Sequence, residues 1–382
     1  MKDIQLCSIE SSFSCKNSHF LKTPEQRSEK IPTDRGYSKV IGNSQGLVHA
    51  GYESIYLFYN AHSQPDYYFQ KVYTPVCRDS ECESIRLTVR WDLLGKYQGY
   101  YLDDGLTFTK LDHEPFTEEE YARLHSILAD EQSILGSYTS KDIAALLKQD
   151  SPVEASTEVH ALSGATPEEI RSEIIEGALY TCHTLWHLCR GETDDLILDY
   201  TKQYLLKNEF LHQLLLSGNI EYIKFSLDHL ENFNPTKLYP DIVQSIRNND
   251  TFISSQVVEH LANDLICDDE FISQLWASFS NLGYLPQRQL LNKLALCDTI
   301  SPSVLADMIE YSSDSIESQF LLVLGILFIQ NSMPDELQTR ITAITRSRKA
   351  KLSKVSGQLL ATKPYHDEMK NLRRELLEIL HE

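Results

Sequence analysis

The stretch Ile85-Arg86-Leu87-Thr88-Val89-Arg90-Trp91 alternates apolar and polar residues with a period of two. Successive side chains of a strand point to opposite faces, so this run predicts a β-strand with one buried face. Leu94-Gly95-Lys96 interrupts the pattern, and Tyr97 to Leu102 reads as a second strand. Asp103-Asp104-Gly105 supplies a hairpin turn, after which Leu106-Thr107-Phe108 is expected to pair back. Upstream, Val72-Tyr73-Thr74-Pro75-Val76 predicts another strand, near an edge because Pro75 has no N–H to give to a ladder. A small antiparallel sheet of this kind needs helices to cover its apolar face.

Those helices follow in the chain. Thr117-Glu118-Glu119-Glu120 is a capping box, with Tyr121, Leu124, Ile127 and Leu128 on one helical face behind it. Residues 140–148 predict a further short helix, and Asp150 to Glu158 is polar and loop-like. Thr166 then fits an N-cap, Pro167 the first helical position and Glu169 a second capping box. The helix they open is expected to reach about Cys189, with Ile170, Ile174, Ala178 and Leu185 turned inward. Residues 47–190 are therefore expected to form an α+β domain. Residues 1–46, rich in Ser, Asn, Lys and Glu and poor in periodic apolar positions, are expected to be a poorly ordered lead-in.

From Gly191 onward the strand signals stop. Gly191-Glu192-Thr193-Asp194 combines a C-cap glycine with a fresh N-cap and marks the expected boundary. Beyond it, apolar residues recur at helical spacing in short segments broken by Asn, Asp, Gly and Pro. The segments beginning at Glu209, Thr251 and Glu270 resemble one another around Phe210, Phe252 and Phe271. Phe210 and Phe252 stand about 42 residues apart, near the length of a HEAT-like helix pair, while Phe271 follows at a shorter interval. The reading for residues 191–345 is an all-α, HEAT-like solenoid, with an irregular helical bundle as the alternative. Residues 346–382 read as a basic linker, carrying Arg346, Arg348, Lys349, Lys351 and Lys354, and an amphipathic helix from Tyr365 to His381.

The chain has 382 residues and a formal net charge of −20, which repels phosphate backbones and argues against nucleic acid as a partner. Its most apolar run, Phe320 to Ile329, is too short for a membrane span and reads as a buried helix. Eight cysteines in so long a chain do not make a disulfide scaffold. The N-terminus shows no signal peptide, so the expected compartment is the cytoplasm, or an extracytoplasmic one if the true start is missing. No P-loop, nucleophile elbow, dinucleotide fingerprint or paired-carboxylate hydrolase motif is present.

Val159-His160-Ala161-Leu162-Ser163-Gly164-Ala165-Thr166, followed by a helix, resembles the signature of the FMN-binding domain family. The resemblance extends over residues 72–191, through Trp91-Asp92-Leu93-Leu94-Gly95, Lys110 to Phe116 and Tyr180 to Leu188, and is similar to a subgroup joined to a helical repeat. It implies an electron-transfer module that holds FMN at Ser163, Gly164, Ala165 and Thr166, with flavin esterified to Thr166 in the family. A helix N-terminus offers free N–H groups to a phosphate, and Gly164 lets the backbone come close. Trp91, Tyr97 and Tyr100 or Tyr101 are available as an aromatic wall, and Asp112 and His113 as groups able to move a proton. The chain carries His160 where the family motif begins with Asp, and Glu168 where it closes with Ser or Thr. That keeps a second reading open: a non-catalytic interaction protein whose flavin domain has lost its cofactor. In both readings the helical repeat docks a protein partner.

Two further clusters stand out. Cys77 and Cys82 frame a short turn and are either a disulfide pair or two thiols. His183 and His187 share a helix face and could chelate an ion, but no third ligand is at hand. The preferred reading is structural, with Cys182, Trp186 and Cys189 in the core.

Overall fold

A computed structural model describes residues 37–41, 54–74, 85–110, 113–149, 170, 174–352 and 356–381. Five strands form one antiparallel sheet in sequence order: β1 (Tyr37–Ile41), β2 (Ile55–Tyr59), β3 (Pro65–Thr74), β4 (Ile85–Trp91) and β5 (Tyr97–Leu102). The apolar period in β4 is as read. Ile85, Leu87, Val89 and Trp91 are buried, but on the opposite face only Arg86 is exposed, Arg90 being half-buried and Thr88 buried.

Three expectations about the sheet are corrected. Tyr37–Ile41 lies within the expected lead-in, yet it pairs with β2 from Tyr37↔Phe58 to Ile41↔Ile55. A long-range partner supplies what the local composition does not show. The strand expected near an edge is instead the long central strand β3, since Pro75 falls beyond its end and outside the described residues. The proline inside it, Pro65, stands at its first position, where a missing N–H does least harm to the ladder. Finally, Leu106–Phe108 does not pair back as a strand. The turn closes at Leu106 N→Asp103 O (3.1 Å), and the Tyr121 hydroxyl then accepts the Phe108 N–H (3.0 Å) that a ladder would have used.

Helix α1 (Glu118–Ala129) begins with the expected capping box and buries Tyr121, Leu124, Ile127 and Leu128. Helix α2 (Ser140–Gln149) also matches its expected range. The long helix expected from Pro167 to Cys189 is interrupted. Ile170 is helical, but Gly177 takes φ = +75° and α3 begins only at Leu179. The Ile174 carbonyl, turned out of any helical ladder, accepts from Arg123 Nε at 2.9 Å. Ile170, Ile174, Ala178 and Leu185 are nevertheless all buried. After α3 (Leu179–Cys189) and a break at Arg190–Gly191 comes α4 (Glu192–Tyr200), continued by a π-helical turn over Thr201–Leu205.

The described chain divides into two compact units, one reaching Leu206 and one starting at Lys207. Gly191 is thus a helix boundary but not the end of the first unit. The Thr201 hydroxyl donates to the Leu93 carbonyl (2.7 Å) and accepts from Tyr68 (2.8 Å), which fastens the segment after α4 to the sheet.

The second unit contains α5 (Asn208–Leu215), α6 (Ile220–Asp228), α7 (Tyr239–Asn248), α8 (Thr251–His260), the one-turn α9 (Asn263–Ile266), α10 (Asp269–Trp276), α11 (Tyr284–Leu294) and α12 (Pro302–Ser312). It continues with α13 (Glu317–Phe328), α14 (Asp335–Arg348), α15 (Ser356–Ala361) and α16 (Lys370–His381). Contacts order them in two rows. One runs α5, α7, α10, α12, α14, α16, and the other α6, α8, α11, α13, α15. The apolar segment read as a buried helix is α13, with Phe320 and Val323 to Phe328 buried. No described helix is long and apolar enough to cross a membrane.

The repeat differs from the sequence reading. In the row α6, α8, α11, α13 hydrogen bonds between neighbours recur at a separation of 32 residues, as in Lys224–Gln256, His260–Asp228 and Gln319–Gln287, while the other row shows 29 for His212–Asp241 and 30 for Arg340–Glu310. The resemblance between Phe210 and Phe252 crosses the rows. Phe210 and Phe271 are core residues of α5 and α10, whereas Phe252 stands exposed on α8. The expected basic linker is likewise divided. Arg346 and Arg348 close α14, and Arg348 is buried.

Candidate functional site

Ser163, Gly164, Ala165, Thr166, Asp112, Cys77 and Cys82 lie outside the described residues. The residues expected to accompany them do not form an open wall. Trp91 is fully buried, and its Nε1–H donates to the Cys189 carbonyl at 2.8 Å. Tyr97 is buried against α1, with its hydroxyl 3.2 Å from His125 Nδ1. Tyr100 packs edge-on against Phe108. All three point from the sheet toward the core and pack there. His113 is exposed at φ = +59° in a turn whose N–H bonds the Lys110 carbonyl at 3.2 Å.

His183 and His187 are engaged with backbone. His183 Nε2 lies 2.9 Å from the Tyr138 carbonyl, and His187 Nε2 lies 3.1 Å from both the Leu135 and Tyr138 carbonyls. Burial lowers the His183 pKa, which keeps the ring neutral in this apolar setting. Cys182, Trp186 and Cys189 are buried, in line with the sequence reading. Burial pushes the Cys182 thiol up to about 12 and raises Cys189 further, so neither is a reactive thiolate at neutral pH. Among the described residues, no group of three His, Cys, Asp or Glu is placed to hold a metal ion.

The densest set of perturbed groups surrounds Arg190, which is only 4% exposed. Its Nε and Nη2 donate to the last carbonyls of α1, Leu128 (2.9 Å) and Ala129 (2.5 Å). Nη1 meets Glu131 at 3.3 Å and Asp194 at 3.6 Å. Burial outweighs the attraction of Arg190 and lifts Asp194 to about 7. Asp92 is lifted to about 6, again chiefly by burial, although Oδ1 accepts the Leu94 and Lys96 N–H groups at 2.8 and 2.9 Å. Perturbed acids often mark functional sites. Here each contact ends on a helix terminus or a turn, and the cluster fastens α1, α4 and the β4–β5 turn together.

The sequence reading missed the other face of the sheet. Tyr56, Phe58, Tyr67 and Phe69 form a ring cluster there, with Phe58 stacked on Tyr67 at 4.7 Å and Tyr56 on Phe69 at 5.4 Å. The Arg90 guanidinium lies 3.6 Å above the Tyr67 ring. Phe58, Tyr67 and Phe69 are buried, so the cluster is packing on a covered face rather than an open platform. The available signal was weak, because Ile55-Tyr56-Leu57-Phe58-Tyr59 is apolar or aromatic throughout and shows no alternation.

The second unit carries a disulfide, Cys267–Cys297, which joins the end of α9 to the segment after α11. Neither cysteine drew notice in the sequence. Comparison of the chain with protein-family models, with curated proteins and with solved structures finds no match in any of the three.

Proposed function

We propose that the chain is a docking protein whose helical unit, read as a HEAT-like solenoid, holds a protein partner. The observation that carries this reading is the 32-residue recurrence of side-chain bonds between successive helices of one row. Stacked helix pairs of that kind expose one long surface on which equivalent positions repeat, and such surfaces serve binding. The net charge of −20 favours protein over nucleic acid as the partner.

The test is site-specific photo-cross-linking of the full chain in its own cells. A photoreactive residue at exposed positions of α8, α11 or α13 should trap one recurrent protein, whereas the same residue at exposed Tyr73 of the sheet should not. A partner trapped only from Tyr73, or none from any helical position, contradicts the reading.

A second reading is an FMN-linked electron-transfer module at Ser163–Thr166. What favours it is the resemblance of Val159 to Thr166 to the flavin signature; the ring cluster of Phe58, Tyr67 and Phe69 is buried and offers it no open surface. Its test is the visible absorbance spectrum and intact mass of the purified chain after incubation with FMN. A flavin band or an FMN mass increment supports it, and the absence of both removes it.

A further inference from the structure

We propose that the start of the row α6, α8, α11, α13 binds a cationic amphipathic helix of a partner protein, with its apolar face on Phe252, Tyr284 and Ile316. This rests on the docking reading above and names the surface and the class of partner.

The register comes first. Lys224 reaches Gln256, Asp228 reaches His260, and Gln287 reaches Gln319, each across 32 residues. Between α8 and α11 Lys293 reaches the Leu261 carbonyl across 32 residues and Ser255 reaches Gln289 across 34, so residues about one such step apart are neighbours along the row. Ile220, Phe252, Tyr284 and Ile316 follow one another at that same step. They occupy the first residue of α6, the second of α8, the first of α11 and the N-cap of α13. The ends are in direct contact: a Cβ added at Gly283, the N-cap of α11, would lie 2.8 Å from the Thr251 hydroxyl at the start of α8.

Three of these side chains face solvent, and Ile220 is half-buried. Phe252 is 61% exposed, Ile316 53% and Tyr284 47%, with Leu285 beside it at 44%. Single exposed apolar residues are ordinary and need no account. Recurrence at one register of successive helices is different, because packing within the array gains nothing from it.

Charge selects the occupant. From Asp250 to Gln330 the chain has eleven acidic residues and two basic ones, Arg288 and Lys293. Lys293 is spent on the Leu261 carbonyl, while Arg288 is exposed one turn into α11. Glu221, Asp250, Asp314 and Glu317 stand at the helix starts themselves, with buried Arg348 offsetting part of the charge of Asp314 and Glu317. Such an edge repels anionic lipid, and it repels a second copy of a chain that carries −20. It complements a segment with Lys or Arg on one side and apolar residues on the other. Helices packed about 8–10 Å apart place the three exposed positions along about 16–20 Å, and half-buried Ile220 extends the line to about 25–30 Å, the length of a helix of about 17–20 residues.

The experiment measures fluorescence anisotropy of two labelled peptides of about 20 residues with the full chain. Both contain the same leucines and lysines. One segregates them onto two helix faces, and the other orders them so that no face forms. The segregated peptide should bind about tenfold more tightly at about 0.15 M salt. Phe252→Ser, Tyr284→Ser and Ile316→Ser together should bring it to the level of the control. Leu359→Ser with Tyr365→Ser, exposed elsewhere in the unit, should leave the preference intact. Asp314→Asn with Glu317→Gln should weaken both peptides and flatten their salt dependence. Circular dichroism confirms that each variant keeps its helix content. Equal binding of the two peptides, or a preference that survives the triple substitution, overturns the proposal. So does self-association, or sedimentation with anionic vesicles, that the triple substitution abolishes. A partner cross-linked from the helices without any peptide preference would leave docking standing and remove only this class of partner.

Discussion

Replacing Arg348 by Met should open the end of the helical unit far more than its place in a basic cluster implies. Arg348 is 9% exposed, and Nη1 donates to the Ser312 (2.8 Å) and Ser313 (2.6 Å) carbonyls at the end of α12. Nη2 donates to the Ser315 carbonyl, and the guanidinium lies 4.7 Å from the Phe320 ring. Met keeps most of the volume and removes every donor. Ser313 is exposed and water can take its carbonyl, but Ser312 and Ser315 are buried. Two carbonyls that lose a charged donor cost about 1.5–3 kcal/mol each, partly offset because the Ser312 carbonyl keeps the Ser315 hydroxyl (3.1 Å) and no guanidinium is then desolvated. The net expectation is about 2–4 kcal/mol. Hydrogen exchange read by mass spectrometry should show amides of α12 and α14 exchanging about a hundredfold faster. Arg346→Ala is the control, since its pair with Glu375 is exposed on both sides and contributes under about 1 kcal/mol. Exchange within about threefold of wild type in Arg348→Met, or equal damage from Arg346→Ala, would refute the capping argument.

Reducing Cys267–Cys297, which closes a loop across 30 residues, should lower the stability of the helical unit by about 3–4 kcal/mol. Thermal melts with and without reductant measure this, and unchanged melts with both thiols open to alkylation beforehand would contradict it. Gly95 has φ = +85°, and a Cβ there would lie 2.6 Å from the Asp194 carbonyl oxygen. Gly95→Ala should therefore cost about 2–4 kcal/mol in urea unfolding followed by Trp91 and Trp186 fluorescence, and a loss under about 0.5 kcal/mol would sink the claim of close approach. Asp92 and Asp194 have folded pKa values of about 6 and about 7, above the ordinary 3.8, so ionising them costs the folded state. Their contribution is fully present below about pH 4 and is lost as pH rises through about 7. Denaturation midpoints of the first unit should show this fall, and Asp194→Asn should flatten its upper part. A wild-type contribution that rises across that window would reverse the sign.

What could be read in the sequence was whatever local chemistry decides. The Thr117–Glu120 box acts within one turn, and the apolar period of Ile85, Leu87, Val89 and Trp91 marks a strand, so both are visible in a short window. Strand β1 was hidden because its partner, not its composition, makes it a strand. Trp91 and Tyr97 were correctly placed on strands, but period two shows that a strand has faces without telling which face meets helices and which meets a ligand. Arg346 and Arg348 are near neighbours in sequence, yet they point to different sides of α14. One meets Glu375 in solvent, and the other fills the cap of α12. The 32-residue step was masked because similar residues recur in both rows, and matching Phe210 to Phe252 compares a core position with an exposed one. Cys267 and Cys297 meet across 30 residues because α9 and the end of α11 lie together, a relation that no short window of sequence shows.

The docking claim is tested most directly by a hydrogen-exchange footprint of the full chain, alone and in the complex isolated from its own cells. The account predicts slowed exchange in the helical unit, centred on the first turns of α8, α11 and α13, with the sheet strands β2 to β5 unchanged. Protection confined to those strands, or an identical pattern in both samples, would contradict it.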